Sequence, residues 1–252
     1  MAARPRAEVA QLRAPRRPRP ARAWLLGVAA GTVVLSLVGG VAWVLLVSSV
    51  FEARSVQVAG NQAVPADVVR AIAAVPLGTP MLRLDTTAIE RRVAAVPRVA
   101  TVQVRCRLDG TVRIELTERT PVAFVHRGDG VHLVDGTGTD YAVVPSEPPG
   151  LPELRSDRVS PANAATTAAL TVLTGLPQWL RTQVRSVTAN SPADVVLRLD
   201  NGRPRDGRSG NDREVRWGGV EDGERKAAVL GPLLTQPGKI YDVSSPALPT
   251  IA

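Results

Sequence analysis

The chain has 252 residues, 31 Lys and Arg against 23 Asp and Glu for a net charge of +8, one cysteine and two histidines. One Cys and two His exclude a zinc finger, a zinc ribbon and a disulfide framework, and 21 Gly and 21 Pro without a period exclude a collagen-like chain. The charge is local: residues 1–22 hold seven Arg and one acid, Glu8, a net +6, so residues 52–252 lack the basic face that a nucleic-acid-binding domain carries.

That tail, rich in Arg and Pro, has the composition of a disordered segment. Ala23–Phe51 follows, 29 residues without a charge, bounded by Arg22 and Glu52 and with Trp24 and Trp43 near its ends. A spanning helix needs about 20 apolar residues, and aromatic rings favour the interface. The run is too long for a signal h-region, and Val44-Leu45-Leu46-Val47 is a poor cleavage site. The expectation is a single signal-anchor over residues 23–51. Arginine on its N-terminal side puts the tail, 1–22, in the cytoplasm and the rest outside. Gly27 and Gly31 form a G-x-x-x-G pair, but Gly and Ala are common throughout the segment, so the pair carries little weight.

Ser55–Ala59 alternates and ends at Gly60-Asn61, a short strand and a turn. Pro65 opens a helix whose apolar face is Val68, Val69, Ile72 and Val75, stopped by Pro76. Leu77-Gly78-Thr79-Pro80 is a turn. Thr87-Ala88-Ile89-Glu90 has capping-box spacing, and Ile89, Val93 and Val96 share a helix face, with Arg91 and Arg92 toward solvent. Two strands follow, apolar at Val102, Val104, Cys106 and Leu108, then at Val112, Ile114 and Leu116. Both apolar sets are even-numbered. A two-residue loop at Asp109-Gly110 would pair odd with even, so a three-residue loop, Leu108-Asp109-Gly110, is expected, pairing Cys106 with Val112 and Val104 with Ile114. Gly110 then takes the left-handed position. Cys106, on the apolar side, is expected to be a buried, inert thiol.

The order β-α-α-β-β over residues 52–121 is the arrangement of a polypeptide-transport-associated (POTRA) domain. Behind an Arg-rich tail and an anchor it resembles the FtsQ/DivIB family of cell-division proteins. The residues that carry the resemblance are Val56–Asn61, Leu77–Asp85, Val96–Ala100, Glu118-Arg119-Thr120-Pro121-Val122-Ala123, Val131–Gly138, Leu151–Leu154 and Tyr241–Ser244.

The second domain, 122–243, reads as mixed α/β with an extended sheet, before a tail at 244–252; the fold class is α+β. Phe124-Val125 and Val131–Val134 look like a hairpin. Ser160-Pro161 opens a helix to about Thr174. Val184–Thr188, Val195–Leu199, Val215–Trp217 and Ile240–Val243 read as strands, 202–213 as a loop, and 221–230 as a helix that Pro232 should break or kink.

The sequence has no G-x-S-x-G, S-x-x-K or H-E-x-x-H. His126 and His132 flank one hairpin near Asp135 and Asp140; exposed strand or turn histidines are favoured over a metal site. Asp135–Gly138 reads as a turn, since no helix follows it as in a phosphate loop, and Glu221, Asp222 and Glu224 before Lys226 read as helix-dipole complementation. The expectation is no enzyme, no cofactor, no metal, no nucleic acid and no small-molecule substrate.

The resemblance implies a scaffold of the division septum, linking early division proteins to late septal wall synthesis and binding FtsB- and FtsL-like bitopic proteins. Physically, strand addition at a sheet edge is the expected mode. The candidate edge is the last strand, Ile240, Tyr241, Asp242 and Val243 with Ser244, and Tyr241 would be either the anchor for the partner or strand filler. The alternatives are a POTRA-bearing translocation component or a membrane-anchored wall enzyme.

Overall fold

The structure is a computed structural model and describes residues 21–47, 52–107, 109–156, 158–200 and 213–252. The expectations for the tail before Ala21, for residues 48–51, for Leu108 and for the loop at 202–212 lie outside the described residues.

Two units are distinguished: Met1–Arg54 with Pro76–Leu84 and Leu108–Gly110, and the remainder from Ser55. In the first, helix α1 runs from Ala21 to Val47, 27 residues. Its side chains are described from Leu26 to Val41 and at Trp43, and the large apolar ones are exposed, Leu35 by 73%. Among the described residues no helix is long and apolar enough to cross a membrane. In the same unit Ala53 is buried, donates to Thr79 O at 3.0 Å and accepts from Gly78 N at 2.8 Å.

The second unit begins with β1 (Ser55–Ala59), α2 (Ala66–Ala73), α3 (Thr86–Ala94), β2 (Val99–Cys106) and β3 (Thr111–Glu118). The sheet order is β1-β3-β2, with β1 parallel and β2 antiparallel to β3. Cys106 lies opposite Val112 and Val104 opposite Ile114, as parity requires, and Gly110 has φ +88°. Three details differ from the sequence reading. Val69 and Ala73 are the buried residues of α2, while Val68 is exposed, because the helix starts at Ala66 and turns that face inward. The cap of α3 is Asp85, whose carboxylate accepts from Ala88 N at 2.9 Å, ahead of the Thr87 box. Cys106 is exposed, because it ends an edge strand beyond the buried residues Val99 and Val104. Its partial burial still pushes the thiol up.

The rest forms one nine-stranded sheet. In chain order it holds β4 (Pro121–Arg127), β5 (Gly130–Asp135), β6 (Asp140–Val144), β7 (Glu153–Arg155), α4 (Ala164–Gly175), α5 (Gln178–Arg181), β8 (Val184–Ser191), β9 (Asp194–Leu199), β10 (Arg213–Gly218), α6 (Gly223–Leu233), β11 (Ile240–Asp242) and β12 (Thr250–Ile251). The spatial order is β12-β11-β10-β9-β8-β7-β4-β5-β6. The three-residue β7 pairs in parallel with both β4 and β8 and so joins the β4–β6 meander to the β8–β10 meander.

Leu170 and Leu173 of α4 and Leu230 of α6 pack on Val187, Leu197, Val215 and Trp217 in the main core. Strand alternation sends Ala123 and Val125 into that core and Phe124 to a second cluster with Val131, Leu133 and Tyr141. Helix α4 begins at Ala164, three residues after Pro161, because Asn163 caps it, accepting from Ala165 and Thr166 N. Pro232 sits inside α6, which ends one residue later at Leu233. Pro232 has no N–H to give to the carbonyl of Ala228 and its ring crowds that carbonyl, which agrees with the helix stopping there.

Glu118 ties the end of β3 to the loop after β1, and Arg119 joins the two sheets. The Glu118 carboxylate accepts from Gln62, Ala63 and Val64 N at 2.6, 3.0 and 2.9 Å. Arg119 donates to Pro97 O at 3.0 Å and pairs with Asp135 at 2.5 Å.

Candidate partner-binding edge

Strand β11 is held on one side by β10 in parallel, Val215 opposite Tyr241 and Arg216 opposite Asp242. Glu214 N donates to Lys239 O at 2.8 Å and Val243 N to Arg216 O at 3.0 Å. The alternation that runs through the strand decides its faces. Tyr241 and Val243 are fully buried beside Val215 and Trp217, while Ile240 and Asp242 are half-buried and Ser244 is exposed. Tyr241 Oη donates to Gln236 O at 2.8 Å and Gly238 O at 3.1 Å, which satisfies the one polar atom it carries inward. Tyr241 is therefore a core residue, and its ring does not stand free on the surface. The signal was in the sequence: Tyr241 and Val243 share parity with each other, as do Val215 and Trp217.

The strand is also not the last one. Thr250–Ile251 lies on its outer side, antiparallel, with Tyr241 opposite Ile251 and Asp242 opposite Thr250. Lys239 N and Ile240 N both donate to Ala252 O at 2.9 Å, and Ala252 N donates to Ile240 O at 2.9 Å. Ile251 is half-buried and packs on the main core. Gly238 makes room for it: a Cβ there would lie 2.3 Å from Ile251 Cγ2. The expectation that Ile240–Val243 is the bare edge is corrected in this respect. Nothing in the sequence pattern reveals β12, since two residues after Pro246 and Pro249 are too few to show a period.

Asp242 Oδ1 accepts from Ser244 N at 2.9 Å and Ser244 Oγ at 2.6 Å, which bends the chain out of the strand. In the opposite direction, Lys226 of α6 is 2% exposed. Its ammonium donates to Gly219 O at 2.9 Å, and burial pushes its pKa down, partly offset by Glu221 and Asp222.

The histidines sit at the other end of the sheet. His126 is exposed and 3.1 Å from Glu147. His132 is buried, against the expectation of an exposed ring, with Nδ1 2.8 Å from Asp140 and Nε2 2.9 Å from Asp129. Burial alone would lower its pKa, but the two carboxylates outweigh it and raise it. Among the described residues no group of three or more His, Cys, Asp or Glu is placed to hold a metal ion.

A β-α-α-β-β unit leading into a long open sheet defines a POTRA-bearing protein, and residues 51–119 match the family model described as "POTRA domain, FtsQ-type". The chain is 40% identical over 220 residues to cell division protein FtsQ of Mycobacteroides abscessus, covering 87% of this chain and 67% of that one. It is 41% identical over 207 residues to that of Mycolicibacterium smegmatis, covering 82% and 59%. It is 34% identical over 242 residues to that of Streptomyces bingchenggensis, covering 92% and 87%. The match thus spans about two thirds or less of the mycobacterial relatives and most of the streptomycete one. The chain belongs to the FtsQ family of cell-division proteins, which are non-enzymatic.

Proposed function

We propose that the chain is a membrane-anchored scaffold of the division septum that recruits its partners by strand addition at β11. Helix α1 within the uncharged run Ala23–Phe51 is the anchor, and the Arg-rich residues 1–22 stay on the cytoplasmic side. The POTRA domain and the nine-stranded sheet then stand outside, linking early division proteins to late septal wall synthesis. The partners are FtsB- and FtsL-like bitopic proteins. The residues that receive them are Ile240, Asp242 and Ser244 through their backbone and outward side chains, with Tyr241 and Val243 holding the strand from inside.

One observation carries this reading. A nine-stranded sheet ends, on the β11 side, in a cover of only two residues. A sheet edge offers a row of N–H and C=O groups that an extended partner segment completes.

Because Tyr241 and Val243 are core residues, the edge is tested without changing them. A photo-crosslinking amino acid is placed at Asp242, and as control at Val143 on β6, the far edge of the same sheet. In dividing cells the Asp242 probe is expected to capture small bitopic proteins at midcell and the Val143 probe is not. Capture from Val143 alone, or a tagged chain spread evenly over the membrane, contradicts the proposal.

A further inference from the structure

Strand β12 has the features of a temporary occupant. It is two residues long, whereas the neighbouring β9–β10 pairing runs across all of Arg213–Gly218. Its ladder with β11 has two residue pairs, Tyr241 with Ile251 and Asp242 with Thr250, and Ala252 adds three backbone hydrogen bonds to Lys239 and Ile240. The loop that delivers it contains Pro246 and Pro249, and its one large apolar side chain, Leu248, is 79% exposed, so the loop itself is not packed down. Its side-chain anchor is Ile251, which enters the gap left by Gly238 beside Tyr241 and packs on the main core.

We infer that β12 is an internal stand-in for the partner's strand, and that the partner displaces it to lie antiparallel to β11 with an aliphatic side chain in the Ile251 slot. This rests on the reading of β11 as the partner-binding edge. The slot dictates the partner's chemistry. The incoming segment must be extended, must present backbone N–H and C=O groups to Ile240, and must carry one aliphatic residue opposite Tyr241, because a charged residue there would lose its hydration against an apolar wall. A partner strand longer than two residues gains pairing beyond the Asp242–Thr250 pair, toward Ser244, that Thr250–Ile251 does not provide. Occupancy by the chain's own segment lowers the apparent affinity in proportion to the fraction of time the slot is open, and it keeps a flat edge from pairing with a second copy.

The test uses the full chain in detergent micelles and, as probe, a labelled synthetic peptide with the chain's own sequence from Ser244 to Ala252. Three proteins are compared: wild type, Ile251→Glu, and a chain ending at Ser244. The peptide is expected to bind both variants at least about tenfold more tightly than wild type, the factor that a slot open about a tenth of the time produces. The same peptide with Glu in place of Ile251 is expected to bind none of them. Equal binding to all three proteins overturns the inference. So does loss of the folded near-ultraviolet signal in both variants, which would make β12 an integral strand. Peptide binding without crosslinks from Asp242 to bitopic proteins leaves the slot intact and overturns the proposed function. Crosslinks without any gain in the variants do the reverse.

Discussion

The two sheets close their edges in different ways. In the POTRA sheet, edge strand β2 exposes Thr101, Gln103 and Arg105, and the Val104 N–H is taken by Glu90 of α3 at 2.8 Å. That acceptor stands on a helix whose Ile89 and Val93 are fully buried, so it stays in place as long as the domain is folded. The β11 edge is closed instead by a two-residue strand on a proline-containing loop. A charged edge with a side-chain acceptor is protected permanently, whereas a strand that brings little core with it can be exchanged. The difference separates a surface built to stay closed from one built to open.

Damage to the shared core has the largest expected effect. Leu197→Ala, at a fully buried position between α4 and β10, is expected to cost about 2–5 kcal/mol in denaturant unfolding of the full chain. A change within about 0.5 kcal/mol would show that the sheet is not the stable platform the edge needs. Next comes Glu118→Ala, which strips three backbone N–H groups of their acceptor and is expected to cost about 1–3 kcal/mol. Tyr241→Phe removes a buried hydroxyl from two carbonyls and is expected to cost about 1 kcal/mol while leaving the edge geometry unchanged. Tyr241→Lys, by contrast, is expected to lose the fold of the sheet end, so its failure in cells would say nothing about partner binding. Smallest is Ile251→Ser, expected to change global stability by less than about 1 kcal/mol because Ile251 is half-buried on a short strand, and yet to release the edge.

The pH dependence divides the same way. Burial favours a neutral His132, but Asp129 and Asp140 raise its pKa above the ordinary value. Its stabilisation is therefore complete below about 6.5 and is lost as the pH rises through the raised value. Glu118 and Asp135 go in the other direction. Burial pushes both up, but the N–H donors from 62–64 on Glu118, and Thr137, Arg119 and Thr139 on Asp135, pull them lower overall. Their contribution is present above the ordinary carboxylate range and is lost as the pH falls through the lowered values. His132→Asn is expected to flatten the alkaline limb of a stability–pH profile, read by thermal unfolding, and to leave the part of the acid limb that Glu118 and Asp135 carry. A profile unchanged on both limbs would remove the ion cluster from the account.

The legible parts of the chain are those with long periods. Eight-residue strands β2 and β3 set their own register through the parity of Val104, Cys106, Val112 and Ile114. Glu118-Arg119 is visible as a motif, but not the role of Glu118 in holding the 62–64 loop or of Arg119 as the joint between sheets, because the partners lie at 62–64, 97 and 135. The helix caps went astray where two capping residues compete within a few positions, Asp85 against Thr87 and Asn163 against Ser160. Strand β7, helix α5 and strand β12 have three, four and two residues, too few for periodicity to separate them from loop. The candidate edge suffered most from this. Its backbone is legible, and of the two readings the sequence leaves for Tyr241 the structure has the strand filler; its cover is not legible, because it is made by backbone bonds that any sequence can form.

The central event is an exchange of strands at β11. Hydrogen exchange of the full chain, followed with and without its co-purified bitopic partners, reads that event directly. The expected result is a swap: amides at Lys239, Ile240 and Asp242 become more protected on partner binding while those at Thr250, Ile251 and Ala252 lose protection. Protection gained together at both segments, or confined to β6 at the far edge, would contradict it.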